Sequence, residues 1–358
     1  MYRNTKNVPY YVFGRGSLAQ LGDLLKPRRE AVDGPVVYFV DHFFRDHELI
    51  GRLPMEKGDQ LHFVDSSSEP EVTRIDAFKE AVSAADSRTP CCVVGIGGGN
   101  ALDTAKAVAN LLTNPGKAED YQGWELVKNP AVYKIGIPTL SGTGSECSRT
   151  CVLTNIPKNL KLGMNSDYTV YDQLLLDPDL LATVPRDQYF YTGIDTFMHC
   201  VESLQGSYRN AIIDAFSVRA VQLCEEIFLS DDMMSEENRE KMMIASYIGG
   251  MAAGNVGVIH PFSAGLGVVL HVAHGLGNCL ALNVLGDIYP KEYKQFRTMI
   301  ERQGVSLPTG ICKDLTEEQY EGLYRGCIVH EKPLTNALGP DFKQILTREN
   351  LIERYKSI

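Results

Sequence analysis

Between Met242 and Gly286 the sequence contains no Asp, Glu, Lys or Arg. The chain as a whole is 22% charged, so a charge-free stretch this long has to be buried. Its ionisable groups are His260, His271 and His274, with Tyr247 and Cys279. A buried imidazole without a partner is costly, so these histidines are hydrogen-bonded or hold a metal. Other absences narrow the class further. There is no basic run, and 45 acidic against 35 basic residues give a net charge of -10, which excludes a nucleic-acid surface. The nine cysteines follow neither disulfide nor zinc-ribbon spacing, which fits a reducing compartment. The opening MYRNTKNVPYYVFGRG has no apolar core long enough for a signal peptide, so a cytoplasmic location is expected. No apolar block of about 18 residues runs uninterrupted, so no membrane span is expected. The charge-free stretch reads instead as a buried helical region broken near Gly265 and Gly267.

What is present suits two domains in 358 residues. VVYFV ending at Asp41, LHFVD ending at Asp65, CCVVGIG and YKIGIP are short apolar runs of the kind found in buried parallel strands. SLAQLGDLLK, VTRIDAFKEAVSAA and ALDTAKAVANLLT repeat their apolar residues at helical spacing. Strand, turn and helix alternate, which predicts an α/β, Rossmann-like domain over residues 1–183. Beyond Pro185 the patterns are almost wholly helical, which predicts an all-α domain over residues 184–358.

The turn Gly97-Gly98-Gly99-Asn100 follows a strand and opens a helix. Such a turn lets backbone N–H groups and the helix N-terminus approach a pyrophosphate. Asn100 stands where a G-x-G-x-x-G fingerprint has its last glycine, so a plain strand-to-helix turn, with Asp103 near the helix N-terminus, stays open. Asp41 ends a strand, where an acid can bind ribose hydroxyls and disfavours a 2′-phosphate; it is equally readable as a helix cap. The turn TLSGTGSE offers hydroxyl and backbone donors, or an N-cap.

Asp195 and His199 are four apart in a predicted helix and share one face. A carboxylate and an imidazole at that spacing form either a surface pair or half of a metal site. His260 and His274 come from the charge-free stretch. Three imidazoles and one carboxylate suit Fe(II) or Zn(II) with an open position for substrate.

Taken together, GGGNALDTAK, PTLSGTGSE, Lys161-Leu162-Gly163, Asp177-Pro178, GIDTFMH and the His260–His274 spacing resemble the iron-containing (group III) alcohol dehydrogenases, over nearly the whole chain. The resemblance implies an NAD-binding N-terminal domain, a helical metal-binding C-terminal domain and a cleft between them. It implies that Asp195, His199, His260 and His274 are the metal ligands. It places Gly97, Gly98 and Gly99 against the pyrophosphate, with Asn100 and Asp103 in the same turn and Asp41 on the ribose. It also puts Thr139, Leu140, Thr143 and Lys161 along the cofactor. Two departures stand out. Asn100 replaces the usual serine, and Ala264 occupies a position where many members carry a proton-relay histidine. His271, one helical turn before His274 on this reading, is the candidate replacement.

Within the family the chain is most similar to enzymes that oxidise the C8 hydroxyl of 3-deoxy-D-manno-octulosonate (Kdo), a lipopolysaccharide sugar acid. That likeness implies a sugar-acid substrate, a homodimer, and a functional link to a pyridoxal-phosphate aminotransferase that consumes the aldehyde. Arg149 and Arg209 are then candidates for the substrate carboxylate. Two other readings compete: an NAD-dependent dehydrogenase of small alcohols or diols, and a metal- and NAD-binding protein without catalysis.

Overall fold

The strand Val36–Asp41 shows how the first half of the chain is built. All but its last residue are buried, and neighbours point into two separate cores. Val37 and Phe39 enter one with Val93, Ala101, Ala105 and Val108; Val36, Tyr38 and Val40 enter the other with Leu21, Leu25 and Ile96. A strand covered on both faces needs apolar residues at every position, which is why the sequence reads as a continuous run.

The computed structural model describes residues 6–358. In chain order, the first half contains β1 (Tyr10–Phe13), α1 (Leu21–Ala31), β2 (Val36–Asp41), β3 (Gln60–Val64), α2 (Val72–Ala85), β4 (Cys92–Gly97) and α3 (Gly99–Leu111). It continues with β5 (Gly123–Trp124), β6 (Lys134–Pro138), β7 (Thr150–Asn155), β8 (Leu160–Asn165) and β9 (Gln173–Leu176). Six strands form a parallel sheet in the order β1-β9-β6-β4-β2-β3. A second sheet has the order β5-β8-β7. Because β2, β4 and β6 are neighbours, the ends of three strands distant in sequence share one edge. Gly97 is level with Pro138, and it lies directly against Asp41.

The second half is helical: α4 (Arg186–Gln205), α5 (Ala211–Phe228), α6 (Glu236–Gly249), α7 (Ile259–Leu270), α8 (His274–Val284), α9 (Pro290–Gln303), α10 (Glu317–Ile328), α11 (Glu331–Leu338), α12 (Phe342–Ile345) and α13 (Arg348–Lys356). The chain falls into two compact units. The helical one takes residues from Val184 onward together with Ser141–Gly144 and Ile156–Lys161, two segments that the sequence reading gave to the α/β domain.

The charge-free stretch is buried or half-buried at every residue except Gly254, His271 and Ala273. Its helix breaks are not at Gly265 and Gly267. Helix α7 runs through both, and the interruptions fall before Ile259 and at residues 271–273. Gly265 serves packing instead. A Cβ there would stand 2.6 Å from the Tyr355 hydroxyl and 2.7 Å from the Leu323 carbonyl. No single helix among the described residues is long and apolar enough to cross a membrane; α6 with its following 3-10 turn, and α7, reach that length and composition only as a pair bent by 91°. All nine cysteines are buried and unpaired.

Candidate metal centre

Helix α4 begins after Pro185 and is buried on all sides from Thr192 to Ser203. Asp195, His199 and Glu202 recur along it at spacings of four and three, the periodicity of one helical stripe. Helices α7 and α8 each offer a histidine from the first turn, His260 and His274. Asp195 is the meeting point and is wholly buried. Its Oδ1 lies 3.1 Å from His260 Nε2 and 3.8 Å from His199 Nε2, and its Oδ2 lies 3.4 Å from His274 Nε2. One ligand atom each from Asp195, His260 and His274 fit within 4.8 Å of one another. The fourth expected ligand, His199, stacks on His260 with ring centroids 4.5 Å apart.

These residues fit a cation. Asp195 Oδ2, a buried anionic oxygen, accepts no hydrogen bond, and His199 Nδ1 and His274 Nδ1 are buried without partners. A buried carboxylate left this way is costly unless a positive charge belongs beside it. Burial raises the Asp195 pKa, but the His199 and His274 imidazoles and the His260 hydrogen bond outweigh it and hold it well below the usual carboxylate range. Burial lowers the His199 pKa to about 3, leaving it neutral and able to donate a lone pair. Burial also pushes His260 down, but the Glu202 and Asp195 carboxylates outweigh it and raise its pKa to about 9.

Two residues missed in the sequence complete the centre. Glu202 is 1% exposed; its Oε2 is 2.5 Å from His260 Nδ1, and its Oε1 accepts from the Ile259 N–H at 2.6 Å and the Tyr289 hydroxyl at 3.3 Å. It therefore fixes the His260 ring and caps the N-terminus of α7, where negative charge is favoured. Asn278, four residues after His274, donates from Nδ2 to Asp195 Oδ1 at 2.7 Å. The helical spacing from His199 and His274 was the available signal for both.

His271 is not on the helix of His274. It ends α7 in a left-handed conformation at φ 55°, is exposed, and is not among the clustered ligands. The one-turn argument for it therefore fails. Arg149 is held by Asp167 and Glu125, each at 2.6 Å, and Arg209 by Asp214 at 2.8 Å. Neither is an uncommitted cation.

At the glycine turn, Gly97 has φ 152°, and a Cβ on it would stand 2.9 Å from Asp41 Cβ. Asp41 Oδ1 accepts from the Phe43 N–H at 3.0 Å and the Ser66 hydroxyl at 2.9 Å, so its capping role is present. Asn100 Nδ2 donates to the Ser68 carbonyl at 2.7 Å and the Ser66 carbonyl at 3.3 Å. The Leu140 side chain lies against Gly98, and the Thr139 N–H donates to the Gly97 carbonyl at 3.0 Å. Asp103, expected near the cofactor, also ties the turn to β7. Its oxygens accept from the Ser145 hydroxyl at 2.5 Å and the Val152 N–H at 2.8 Å. In the helical unit, the half-buried Thr143 belongs to the Ser141–Gly144 turn, which is bonded to Ser246 and Thr196 through Gly142 at 2.8 and 2.9 Å. Lys161 is buried, its Nζ 3.8 Å from where a Cβ on Gly267 would stand.

Comparison with known proteins agrees with this layout. A sulfoacetaldehyde reductase of Bilophila wadsworthia is 34% identical over 220 residues, covering 60% of this chain but only 56% of that protein. An NAD-dependent methanol dehydrogenase of Bacillus methanolicus is 29% identical over 278 residues, covering 75% and 71%. Among solved structures, an alcohol dehydrogenase from Oenococcus oeni superposes with TM-score 0.84 at 21% identity, covering 99% of both chains. A sulfoacetaldehyde reductase from Bifidobacterium kashiwanohense in complex with NAD+ superposes with TM-score 0.80 at 24% identity, covering 99% and 98%. These superpositions establish the fold. Residues 9–178 match the family described as iron-containing alcohol dehydrogenase, and residues 189–321 match the C-terminal region of the same family. Spanning both regions, the chain belongs to the iron-containing alcohol dehydrogenase family.

Proposed function

We propose that the protein is a metal-dependent, NAD-linked oxidoreductase that interconverts small primary alcohols and aldehydes. The observation that carries this reading is the buried Asp195 carboxylate, faced by three imidazole Nε2 atoms and left with an unbonded Oδ2. A divalent cation held by Asp195, His199, His260 and His274 supplies the Lewis acidity that lowers the pKa of a substrate hydroxyl. NAD held by Asp41, Gly97, Gly98, Gly99, Asn100, Thr139, Leu140, Thr143 and Lys161 supplies the hydride acceptor. The chain's own residues do the positioning. Glu202 keeps His260 Nε2 turned toward Asp195, and Asn278 holds the Asp195 carboxylate by one oxygen. Asp41 favours a free ribose diol over a 2′-phosphate, hence NAD over NADP.

The relatives named for sulfoacetaldehyde and methanol support a small substrate. The narrower reading is oxidation of the C8 hydroxyl of Kdo by a homodimer, followed by amination by a pyridoxal-phosphate enzyme. It rests on overall likeness in sequence. The ion pairs of Arg149 and Arg209 weigh against it, because they occupy the two cations proposed for the sugar carboxylate. The test is product analysis by mass spectrometry with metal-replete protein, with and without NAD and oxygen. Methanol, 1,3-propanediol, sulfoacetaldehyde with NADH, and Kdo form the substrate panel. Turnover of the small substrates with NAD supports the main reading, and turnover of Kdo alone replaces it with the narrower one. Bound metal and NAD without turnover of any of them refutes both.

A further inference from the structure

Asn278 lies one turn after His274 on the same face of α8 and is wholly buried. Its amide nitrogen stands among the groups offered to a cation. Nδ2 is 2.7 Å from Asp195 Oδ1 and 3.3 Å from both His260 Nε2 and His274 Nε2. The helix that carries it is clamped between two others. A Cβ on Gly275 would stand 2.5 Å from the Tyr191 carbonyl oxygen of α4, and a Cβ on Gly277 would stand 2.7 Å from Ser263 Oγ of α7. Two glycines thus close α8 onto both neighbours and leave the amide little room to retreat from the carboxylate.

The two oxygens of Asp195 are treated differently. Oδ1 accepts from Asn278 Nδ2 at 2.7 Å and lies 3.1 Å from His260 Nε2. Oδ2 lies 3.4 Å from His274 Nε2, yet it is buried and accepts no hydrogen bond. An ionised carboxylate only accepts, so the amide has to present its NH2 and not its carbonyl to Asp195. That leaves Asn278 Oδ1 buried without a partner. An amide N–H cannot coordinate a cation. Once the imidazole nitrogens are given to a cation, Asp195 Oδ1 is the one acceptor of this group left to Nδ2. Asp195 Oδ2 is then the anionic oxygen still lacking a partner, and burial makes that state costly unless a cation meets it there.

We propose that Asn278 is a positioning residue that makes Asp195 a one-oxygen ligand, bonding through Oδ2 while the amide keeps Oδ1 engaged. This rests on the cation-binding part of the reading above. Asp195 Oδ2 and the imidazoles of His199, His260 and His274 then supply four bonds. The position that Oδ1 would otherwise take stays free for the substrate oxygen. Without the amide, Oδ1 becomes a second buried anionic oxygen lacking a donor, and it turns to the same cation. Asp195 then grips with both oxygens and fills the place that the substrate needs. Loss of Asn278 therefore moves metal affinity and turnover apart, whereas loss of a residue that merely supports the fold lowers both.

The experiment uses the full chain as wild type, as Asn278→Leu, which keeps the side-chain size without a donor, and as Asn278→Ser, which keeps a smaller donor. Each is stripped of metal and titrated with Co(II) alone, followed by visible absorption and by competition with a chelator. Turnover is measured on the same samples with whichever alcohol the wild type oxidises. The visible bands of Co(II) weaken as its coordination number rises. For Asn278→Leu the expected result is weaker bands, Co(II) affinity no lower than wild type, and kcat/KM lower by about 10- to 100-fold, the scale for loss of a residue that orients a ligand. Asn278→Ser is expected to shift in the same directions by less, and it decides the matter if Asn278→Leu does not fold. Unchanged bands overturn the proposal. A fall in Co(II) affinity overturns it in favour of simple support for the site, and full turnover with weakened bands overturns it because Oδ1 and substrate then do not compete. If the wild type oxidises no alcohol, the oxidoreductase reading fails, while bands and affinity still decide the role of Asn278.

Discussion

Glu202 Oε2 and His260 Nδ1 are 2.5 Å apart, and this contact sets which nitrogen of His260 faces Asp195. A metal-binding histidine commonly gives its second N–H to a carboxylate, which fixes its tautomer and raises its basicity. Replacing Glu202 by Gln keeps the shape and removes the charge. Metal affinity, measured by competition with a chelator, is expected to fall about 10- to 100-fold. Glu202→Ala adds a stability loss of about 1–3 kcal/mol, because the Ile259 N–H and Tyr289 hydroxyl lose their acceptor. Unchanged affinity in Glu202→Gln would show that the ring is oriented by packing alone.

The metal-depleted protein should be most stable near pH 6.5. His260 has its folded pKa raised from 6.5 to about 9, so its stabilising contribution is complete below about pH 6.5 and is lost as pH rises to about 9. His199 and His330 have theirs lowered from 6.5 to about 3 and about 4, so their contribution is complete above about pH 6.5 and is lost on acidification. A bound cation displaces the His260 proton. Apparent metal affinity should therefore rise about tenfold per pH unit between 6.5 and 9. Thermal midpoints and chelator titrations across that range check both statements, and a flat affinity profile contradicts the second.

Asn100 braces the backbone at Ser66 and Ser68, and Ser66 in turn donates to Asp41. The residue that departs from the family's usual serine thus acts on the proposed ribose acid through a neighbouring loop. Asn100→Ser is expected to raise KM for NAD about 5- to 10-fold with little change in kcat. That matches about 1–1.5 kcal/mol for one net hydrogen bond. Asp41→Ala should instead narrow the preference for NAD over NADP. Steady-state kinetics with both cofactors separate the two effects, and an unchanged KM in Asn100→Ser shows that the loop holds itself.

The sequence made the apolar, doubly covered strands and the ligand residues legible because each depends on local pattern. β2, β4 and β6 are continuous apolar runs, and Asp195 and His199 share a helical spacing. β1 was not legible, since Tyr10, Tyr11 and Phe13 are exposed at the sheet edge and carry no inward–outward alternation. β9 was hidden because its four residues, QLLL, are a short leucine run just ahead of Asp177-Pro178, inside a leucine-rich segment, LLLDPDLL, that read only as a change of character between the domains. Arg149 read as a candidate for the substrate carboxylate because its partners, Glu125 and Asp167, are distant in sequence. The glycines of α7 were misread for a related reason. A glycine that breaks a helix and one that admits a neighbouring helix look alike until the neighbour is in place.

Gly265 tests that last point. Its missing side chain lets α10 and α13 close on α7, with the Tyr355 hydroxyl donating to the Phe262 carbonyl at 2.8 Å and the Leu323 carbonyl nearby. Alanine is the better helix former by about 1 kcal/mol, so on propensity alone Gly265→Ala would stabilise α7. Sterics oppose this, because the added Cβ would stand 2.6 Å from an oxygen and 2.7 Å from a backbone carbonyl, and a carbonyl cannot swing aside as a flexible side chain can. Overpacking of this kind costs about 1–3 kcal/mol. The two effects leave a net loss, read as a lower thermal midpoint. Gly254→Ala is the control: nothing lies within 4 Å of its Cβ position, so it should leave stability unchanged. A Gly265→Ala protein as stable as the wild type would show that the α7–α10 crossing is looser than these distances imply.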